Sequence, residues 1–252
     1  MLQRLQMKGA SESRPTSLSA VQQNIVNCNR CDRLRSYCKE IGRIKKKAFQ
    51  NDLYWARPVP GFGDPNARLL IMGLAPAAHG AKRTGRIFTG DGSGATGDFL
   101  MAALKRAGFA NIATSQRTDD GLQLTDAYIA ASVRCAPPDN KPLPEEIDRC
   151  LVHLQDEIAH LPNIEVIVTL GKIAWDAWLK LLTMNGETIP RPRPAFGHGA
   201  SWTHNGITII GAYHPSRQNT NTGVLTPRMY DDIFRRVKRS LSPKVPGVPK
   251  VP

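Results

Sequence analysis

The sequence contains no long hydrophobic run. No segment approaches the roughly 20 consecutive apolar residues of a membrane-spanning helix, and the beginning of the chain lacks the short apolar core of a secretory signal. From these absences we expect a protein of the cell interior with no membrane partner. Its five cysteines are then expected to be ligands, nucleophiles or core residues, because a reducing compartment disfavours disulfides.

Acidic residues are scarce relative to basic ones. The chain has 21 Asp and Glu against 34 Lys and Arg, which gives a net charge of +13. The basic residues cluster in 30–47 and again in 228–244, a pattern that indicates a basic face. Such a face suits a polyanionic partner, because neutralised phosphates release counterions. The alternative is a basic surface that only keeps the protein soluble.

Internal repeats and linker-like stretches are also absent. The sequence therefore predicts one domain over residues 19–241. The polar leader 1–18 and the Pro/Lys tail 242–252 are expected to be disordered, because their composition does not support a packed core. At 252 residues, the chain is long enough for a domain with a sizeable hydrophobic core.

Short apolar runs alternate with helical patterns along this domain. The runs are partly β-branched and predict buried strands at 68–72, 128–133, 165–170 and 207–212. Apolar spacing and helix-end signals predict helices at 99–107, 144–158, 171–182 and 227–241. This alternation predicts an α/β fold with a parallel sheet covered by helices on both faces. Ligands on such sheets bind at the carboxyl ends of the strands.

Chemically suggestive residues follow the predicted strands. Gly73 opens the loop after the first strand, Cys135 lies at the end of the second, and His214 follows the fourth. A single loop histidine is more often structural than functional. Several such loops at one rim of a sheet predict a site.

The stretch from 73 to 100 contains seven of the chain's 21 glycines. Gly92, Gly94 and Gly97 fit the dinucleotide fingerprint, but about twenty residues separate them from the nearest predicted strand, whereas the fingerprint requires direct succession. No Gly-Lys-Ser/Thr follows, so a P-loop is excluded. The glycines therefore serve either the close approach of another ligand or only the turning of a long loop.

The cysteines form two pairs. Cys28 and Cys31 make a Cys-x-x-Cys motif, and Cys135 and Cys150 form a wider pair near a strand end and a helix. Four thiolates from two distant segments suit a zinc or iron–sulfur site, and the spacing does not choose between the two. In the alternative interpretation Cys135 and Cys150 are simply buried. We take Cys38 as structural.

Five ordered motifs resemble those of the family 5 (type B) uracil-DNA glycosylases, and the resemblance extends from residue 24 to residue 239. The motifs are WARPVPGFGDP (55–65), GLAPAAHG (73–80), RTGRIFTGDGSG (83–94), VRCAPPDNKP (133–142) and HPSRQNTNTGVLT (214–226). The resemblance implies a three-layer α/β/α sandwich around a four-stranded parallel sheet. It also implies a 4Fe-4S cluster on Cys28, Cys31, Cys135 and Cys150.

The activity implied by the resemblance is monofunctional base excision. Uracil and related deaminated or damaged bases would be flipped out of DNA and removed by hydrolysis of the N-glycosidic bond, which starts base excision repair. The partner is DNA that contains such bases. We expect a monomer that works in the cytoplasm, on the nucleoid.

The resemblance also implies roles for single residues. His214 would donate a hydrogen bond to the departing base, Phe88 would stack on it, and Asp91 would position water or offset positive charge on the sugar. Their plainer alternatives are a loop histidine, a core phenylalanine and a turn residue. The base pocket would further include Gly73, Leu74, Ala75 and Asn140, of which Asn140 could equally be a turn residue.

The loop after His214 would contact DNA. Ser216 would take a phosphate oxygen, Arg217 or Gln218 would fill the stack left by the flipped base, and Asn219 would reach the base or its sugar. The alternative is a solvated surface loop.

Two positions depart from the superfamily pattern. Many relatives carry a polar residue that handles the attacking water at the position of Ala75, and an Asn that reads the uracil edge at the position of Ala131. Neither alanine can do this. The carboxylate is expected at Asp91 instead, and the loss of a polar reader predicts looser discrimination between bases.

Two other functions remain open from the sequence. A basic nucleic-acid-binding module with a structural metal on its four cysteines accounts for the charge and the cysteines but leaves His214, Asp91 and Phe88 unexplained. A nucleotide-dependent oxidoreductase built on the glycines 92–97 is the other.

Overall fold

A computed structural model describes residues 15–90, 92 and 96–241. The expected tail and the leader up to residue 14 lie outside the described residues. The described chain forms the helices α1 (Leu18–Val26), α2 (Asp32–Ile44), α3 (Ala81–Thr84), α4 (Thr96–Arg106), α5 (Pro144–Ala159), α6 (Lys172–Met184), α7 (Arg217–Asn221) and α8 (Pro227–Ser240). Its strands are β1 (Phe62–Gly63), β2 (Leu69–Gly73), β3 (Ala127–Ala131), β4 (Val166–Leu170), β5 (Ser201–His204) and β6 (Ile207–Ala212).

The strands form one mixed six-stranded sheet in the order β1-β3-β2-β4-β6-β5. The four inner strands are parallel, and β1 and β5 pair antiparallel at the two edges. The expectation of a four-stranded sheet was therefore wrong by two strands. β1 has only two residues and β5 is partly exposed along its length, so neither carries the apolar run by which the inner strands were predicted.

The strand β3 is shorter than predicted. It ends at Ala131. The Ser132 amide makes the last ladder bond, to the Gly73 carbonyl at 2.9 Å, and its hydroxyl donates to the same carbonyl at 3.1 Å. Cys135 therefore lies in the loop beyond the strand and not at its end.

Both faces of the sheet are covered by helices. Along β2, Leu69 and Ile71 face a core that contains α4 and α8 side chains, and Leu70 and Met72 face a core built with α5 and α6. All five residues of β2 are buried. Alternate side chains that are buried on both faces are typical of an inner parallel strand. The architecture is thus helix, sheet and helix in three layers.

The predicted helices are present as α4, α5, α6 and α8. The helices α1 and α2 were not predicted. In α2 the apolar residues Leu34, Cys38 and Ile41 recur at helical spacing, although only Leu34 and Cys38 of its 13 residues are buried. α1 begins at Leu18, one residue inside the expected leader, because the Ser17 hydroxyl caps it by accepting a hydrogen bond from the Ala20 amide at 3.2 Å. Within the described residues, no helix combines the length and the apolar character needed to cross a membrane.

A buried ion pair joins the loop after β3 to α5. The Arg134 guanidinium pairs with the Glu157 carboxylate, and these side chains are 1% and 0% exposed. Glu157 also accepts hydrogen bonds from the Gly61 amide at 2.8 Å and the Tyr128 hydroxyl at 3.2 Å. The Glu157 carboxylate thus binds the residue before β1, a residue of β3 and a residue of the loop after β3.

We expect the substitution Glu157→Gln to lower the free energy of unfolding by about 3–5 kcal/mol, because it leaves the buried Arg134 charge without its counterion. Urea unfolding followed by circular dichroism measures the change. The matched control is Asp232→Asn, which removes an ion pair to Arg235 whose members are 51% and 62% exposed. It should leave the stability nearly unchanged. Similar losses in both variants would contradict a special role for the buried pair.

Candidate active site

The site lies at the carboxyl edge of the four parallel strands. Ser132 hydrogen-bonds to Gly73, and the Val133 amide donates to the Leu74 carbonyl at 2.8 Å. On the other side, the Gly171 amide donates to the Ala212 carbonyl at 2.8 Å. The segments that follow the strands are thereby fastened side by side, as expected for parallel strands that end at one edge.

Phe88 and His214 come together at this edge. Their ring centroids are 5.9 Å apart with 34° between the ring planes. The Phe88 ring also lies against Gly73, where an added Cβ would come within 3.1 Å of its Cζ. Sequence-predicted residues from three different motifs thus meet at one place.

The backbone at Phe88 is unusual. Its φ of 54° lies in the left-handed region, which bulky residues rarely adopt and which is often found at functional sites. Gly97 in α4 packs directly onto it, since an added Cβ would lie 2.1 Å from the Phe88 carbonyl oxygen. Two glycines of the glycine-rich stretch therefore serve the close packing of one aromatic residue. The approach of a ligand to that stretch stays a prediction.

His214 is held by its backbone and leaves its ring available. The Asn219 side-chain amide donates to the His214 carbonyl at 2.8 Å, and no described residue hydrogen-bonds to the imidazole. Burial lowers the pKa of His214 to about 4. The ring is consequently neutral at pH 7, with one N–H that can donate to a ligand.

The loop after His214 begins with the short helix α7. Ser216 caps this helix by accepting a hydrogen bond from the Asn219 amide at 3.3 Å, and Arg217 and Gln218 are exposed in its first turn. The Arg217 guanidinium approaches the glycine-rich stretch, since a Cβ on Gly92 would lie 3.3 Å from its Nη2. The loop therefore approaches the glycine-rich stretch that also contains Phe88.

Asp91 lies outside the described residues, but both of its neighbours are anchored. The Gly90 carbonyl accepts a hydrogen bond from Arg83 at 2.7 Å. The Gly92 carbonyl accepts one from the Gln116 side chain at 3.3 Å, and the same amide nitrogen donates to the Asp98 carboxylate at 2.7 Å.

The other predicted pocket residues divide into two groups. Leu74 and Ala75 directly follow β2 at the carboxyl edge, and Ala75 packs against the apolar cluster that contains Cys135 and Cys150. Asn140 ends the exposed 3-10 turn Pro138–Asn140 with a φ of 57°, which fits its turn alternative. Among the described residues, no hydrogen bond or ring contact links its side chain to Phe88 or His214.

The four predicted ligand cysteines line one cavity next to the site. Its other lining residues include basic side chains and His153, and the complete lining is Cys28, Arg30, Cys31, Leu34, Arg35, Pro58, Val133, Arg134, Cys135, Cys150 and His153. The Arg134 amide donates to the Cys150 sulfur at 3.2 Å. In residues 15–90, 92 and 96–241, however, no three His, Cys, Asp or Glu side chains are arranged to hold a metal ion.

The buried polar atoms around this cavity are incompletely paired. The Nε and Nη1 atoms of Arg134 and the Nε2 atom of His153 are buried without a described hydrogen-bond partner. Burial raises the pKa of the Cys150 thiol to about 12, and burial together with Cys28 raises that of Cys31. A metal that binds here therefore has to displace thiol protons. Cys38 is not among the lining residues; it is fully buried and donates to the Ala136 carbonyl at 3.6 Å.

The roles of several residues of the site were not predicted from the sequence, although Arg83 and Arg134 lie within two of the quoted motifs. Arg83 and Gln116 hold the two sides of Asp91 through hydrogen bonds to backbone carbonyls, and such contacts follow no spacing rule. Arg134 directly precedes Cys135, but only the fold shows that it pairs with Glu157.

Comparison with known proteins agrees with the resemblance found in the sequence. The sequence profile of the Uracil DNA glycosylase superfamily matches residues 60–238. A type-5 uracil-DNA glycosylase of Mycobacterium bovis is 49% identical over 214 residues, which cover 84% of this chain and 77% of the relative. The type-5 uracil-DNA glycosylase of Thermus thermophilus is 46% identical over 222 residues, or 87% and 96% of the two chains.

A more distant relative, the type-4 uracil-DNA glycosylase of Archaeoglobus fulgidus, is 27% identical over 79% of this chain and 82% of the relative. The type-5 proteins match far more strongly, and their similarity extends over most of both chains. The chain therefore belongs to the type-5 uracil-DNA glycosylases of the uracil-DNA glycosylase superfamily.

Proposed function

We propose that this protein excises uracil and related deaminated or damaged bases from DNA by hydrolysing the N-glycosidic bond. The observation that carries the proposal is the pair of Phe88 and His214 rings, 5.9 Å apart at the carboxyl edge of the sheet, in a chain whose relatives are named for this activity. A base inside a duplex is out of reach of such a site, so the nucleotide has to be flipped out.

The pocket binds the flipped base through its shape and one hydrogen bond. The Phe88 face stacks on the flat base, and the neutral His214 ring donates its N–H to the base carbonyl on which negative charge develops as the bond breaks. Burial keeps His214 uncharged, with a pKa of about 4. The histidine therefore stabilises the leaving group by a hydrogen bond and does not have to give up a proton.

The sugar side of the reaction is assigned to Asp91. Bond cleavage leaves positive charge on the sugar, which a carboxylate offsets while it positions the attacking water. The hydrogen bonds of Arg83 to Gly90 and of Gln116 to Gly92 support this role, because they hold the backbone on either side of Asp91. Gly73, Leu74 and Ala75 form a wall without polar side chains, which favours a wide range of bases. Asn140 is retained as a candidate contact to the base.

Contacts to the DNA are assigned to the loop after His214. Ser216 takes a phosphate oxygen, and Arg217 and Gln218, exposed at the start of α7, fill the gap in the base stack. Asn219 acts near the sugar and also holds the His214 backbone. We assign this action to a monomer that works on the DNA of the nucleoid, at the start of base excision repair.

We infer that the cysteine cavity holds a 4Fe-4S cluster on Cys28, Cys31, Cys135 and Cys150. All four line one cavity, and the unpaired buried N–H groups of Arg134 are donors suited to the sulfur atoms of such a group. The described lining contains three arginines and no Asp or Glu, which suits a group with negative charge. When bound, the cluster supplies a cross-link between the segment joining α1 to α2, the loop after β3 and α5.

The alternatives from the sequence are less well supported. A non-catalytic module does not require the contact between Phe88 and His214. A dinucleotide site on the glycine-rich stretch would need open space at Gly97, but the Phe88 carbonyl fills that space. Gly94 lies outside the described residues.

Incubation with uracil-containing duplex, followed by alkali, tests the function. The wild-type protein should produce strand scission at uracil. Asp91→Ala should lower the single-turnover rate by about 10²–10⁴, the range typical of a positioned proton-handling group, with little change in DNA binding. Intact DNA after incubation with the wild type would favour the binding module. A wild-type rate in Asp91→Ala would make Asp91 a turn residue.

The cofactor is tested by colour and metal content. The purified protein should be brown, with about four irons per chain, as expected for a 4Fe-4S centre. Cys135→Ser should bleach the colour and destabilise the fold, because it removes a ligand. Cys38→Ser is the matched control, a neighbouring buried thiol outside the cavity, and should retain the colour. A colourless, zinc-loaded and active protein would refute the cluster.

The role of the α7 loop is tested by combining Arg217→Ala with Gln218→Ala. The residue that fills the gap offsets an unstacking penalty of roughly a few kcal/mol, so its loss should matter most where flipping is hardest. Excision from a U·A pair should slow more than excision from a U·G pair or from single strands. Asn221→Ala, an exposed residue of the same helix, is the control. Equal slowing on all substrates would mean that the loop only contacts phosphates and does not fill the gap in the base stack.

A further inference from the structure

Residues 43–57, called here the Leu53 segment, are not used by the function described above. They run from the end of α2 towards β1 and include the 3-10 helix Lys47–Phe49. Leu53 near their middle is 94% exposed, the highest value among the exposed large hydrophobic residues, of which the next are Ile44 at 57% and Val224 at 50%. A single exposed leucine is ordinary, but the Leu53 segment also contains the exposed side chains of Ile44 and Trp55, at 57% and 37%. Several exposed apolar side chains in one segment suggest a partner.

The Leu53 segment is fixed to the protein. The amides of Trp55 and Ala56 donate to the carbonyls of Arg83 and Lys82 at 2.9 and 3.1 Å. The Trp55 ring lies over Gly85, where an added Cβ would come within 3.0 Å of it. The exposed Leu53 side chain therefore lies on a backbone segment that hydrogen bonds and the Trp55 contact hold in place.

Arg83 connects the Leu53 segment to the proposed active site. The Arg83 guanidinium binds the Asp52 carboxylate at 2.5 Å and stacks on the Phe49 ring at 4.1 Å. The same guanidinium donates to the Gly90 carbonyl at 2.7 Å. Gly90 directly precedes Asp91, so one side chain holds both the Leu53 segment and the backbone next to the proposed catalytic carboxylate. The segment consequently lies beside the base pocket.

The charge of the Leu53 segment suits DNA. It contains five basic residues and one acidic residue. The acidic residue, Asp52, forms an ion pair with Arg83. Arg43, Lys46 and Lys47 are exposed. An apolar side chain flanked by lysines, next to a site that acts on DNA, combines phosphate binding with the apolar wedge that many proteins insert between base steps.

We propose that the Leu53 segment is a second DNA-contact element, separate from the α7 loop and resting on the proposed function. Its lysines bind backbone phosphates beside the flipped nucleotide. Leu53 packs against the base stack of the neighbouring pairs and helps to hold the duplex open. It acts only on duplex DNA, because a single strand has no stack of paired bases to contact.

The test compares Leu53→Ala with Met184→Ala in the full-length holoprotein. Met184 is 43% exposed and ends α6, whose other end lies at the carboxyl edge of the sheet, so its loss should have no effect. Leu53→Ala should slow single-turnover excision from U·A and U·G duplexes by about tenfold, since a lost wedge no longer offsets unstacking. Excision from single-stranded uracil DNA should change less than about twofold.

A second measurement needs no catalysis. Replacement of Lys45, Lys46 and Lys47 by Gln should lower the slope of log Kd against log salt for undamaged duplex by about two to three, since each lost phosphate contact removes close to one unit. An unchanged slope would overturn the phosphate role. A wild-type protein that cleaved no uracil would refute the proposed function. The salt dependence of Kd would still show whether the lysines of the Leu53 segment contact DNA.

Other occupants would give different results. Equal slowing of Leu53→Ala on single strands and duplexes would mean that Leu53 acts on the pocket, and no slowing on any substrate would mean that DNA does not touch it. Conversion of a wild-type dimer to a monomer by Leu53→Ala in analytical ultracentrifugation would assign the surface to a second copy of the chain. Each of these results would overturn the proposal.

Discussion

The buried ion pair between Arg134 and Glu157 is the constraint on which much of this structure depends. Two charges in the core lose their hydration, and only good geometry and further hydrogen bonds compensate for that loss. Glu157 has these bonds from Gly61 and Tyr128. The pair fixes the path of the chain as it leaves β3, and Cys135 is the next residue along that path. Because the Arg134 amide also donates to Cys150, one residue connects the core, the cysteine cavity and the edge of the sheet that carries the site.

The glycine-rich stretch imposes a second constraint. Phe88 adopts a left-handed backbone conformation, Gly97 approaches it more closely than any residue with a side chain could, and a Cβ at Gly73 would fit only tightly against its ring. Such a conformation persists only where the surroundings determine it. Here the surroundings are a strand end on one side and the first turn of α4 on the other. The aromatic face is thereby positioned beside His214 by backbone packing.

Arg83 links the parts of the site that belong to different motifs. It contacts the carbonyls of His79 and Gly90 and the side chains of Asp52 and Phe49. The basic cluster that the sequence places at 30–47 spans α2 and continues into the segment that Arg83 holds. This basic cluster is therefore joined through Arg83 to the segment of the proposed active site.

The sequence by itself determined the inner strands, four of the helices and the family. Inner parallel strands are buried on both faces and appear as apolar runs, and the helices have apolar periodicity or clear end signals. The order of five motifs identified the family. The tertiary structure alone decided the edge strands β1 and β5, which are short or half exposed. It also decided that Arg83 joins Asp52 to Gly90 and that Arg134 pairs with Glu157. These contacts join segments that are distant in sequence or depend on backbone carbonyls, which every residue carries, so no local pattern encodes them.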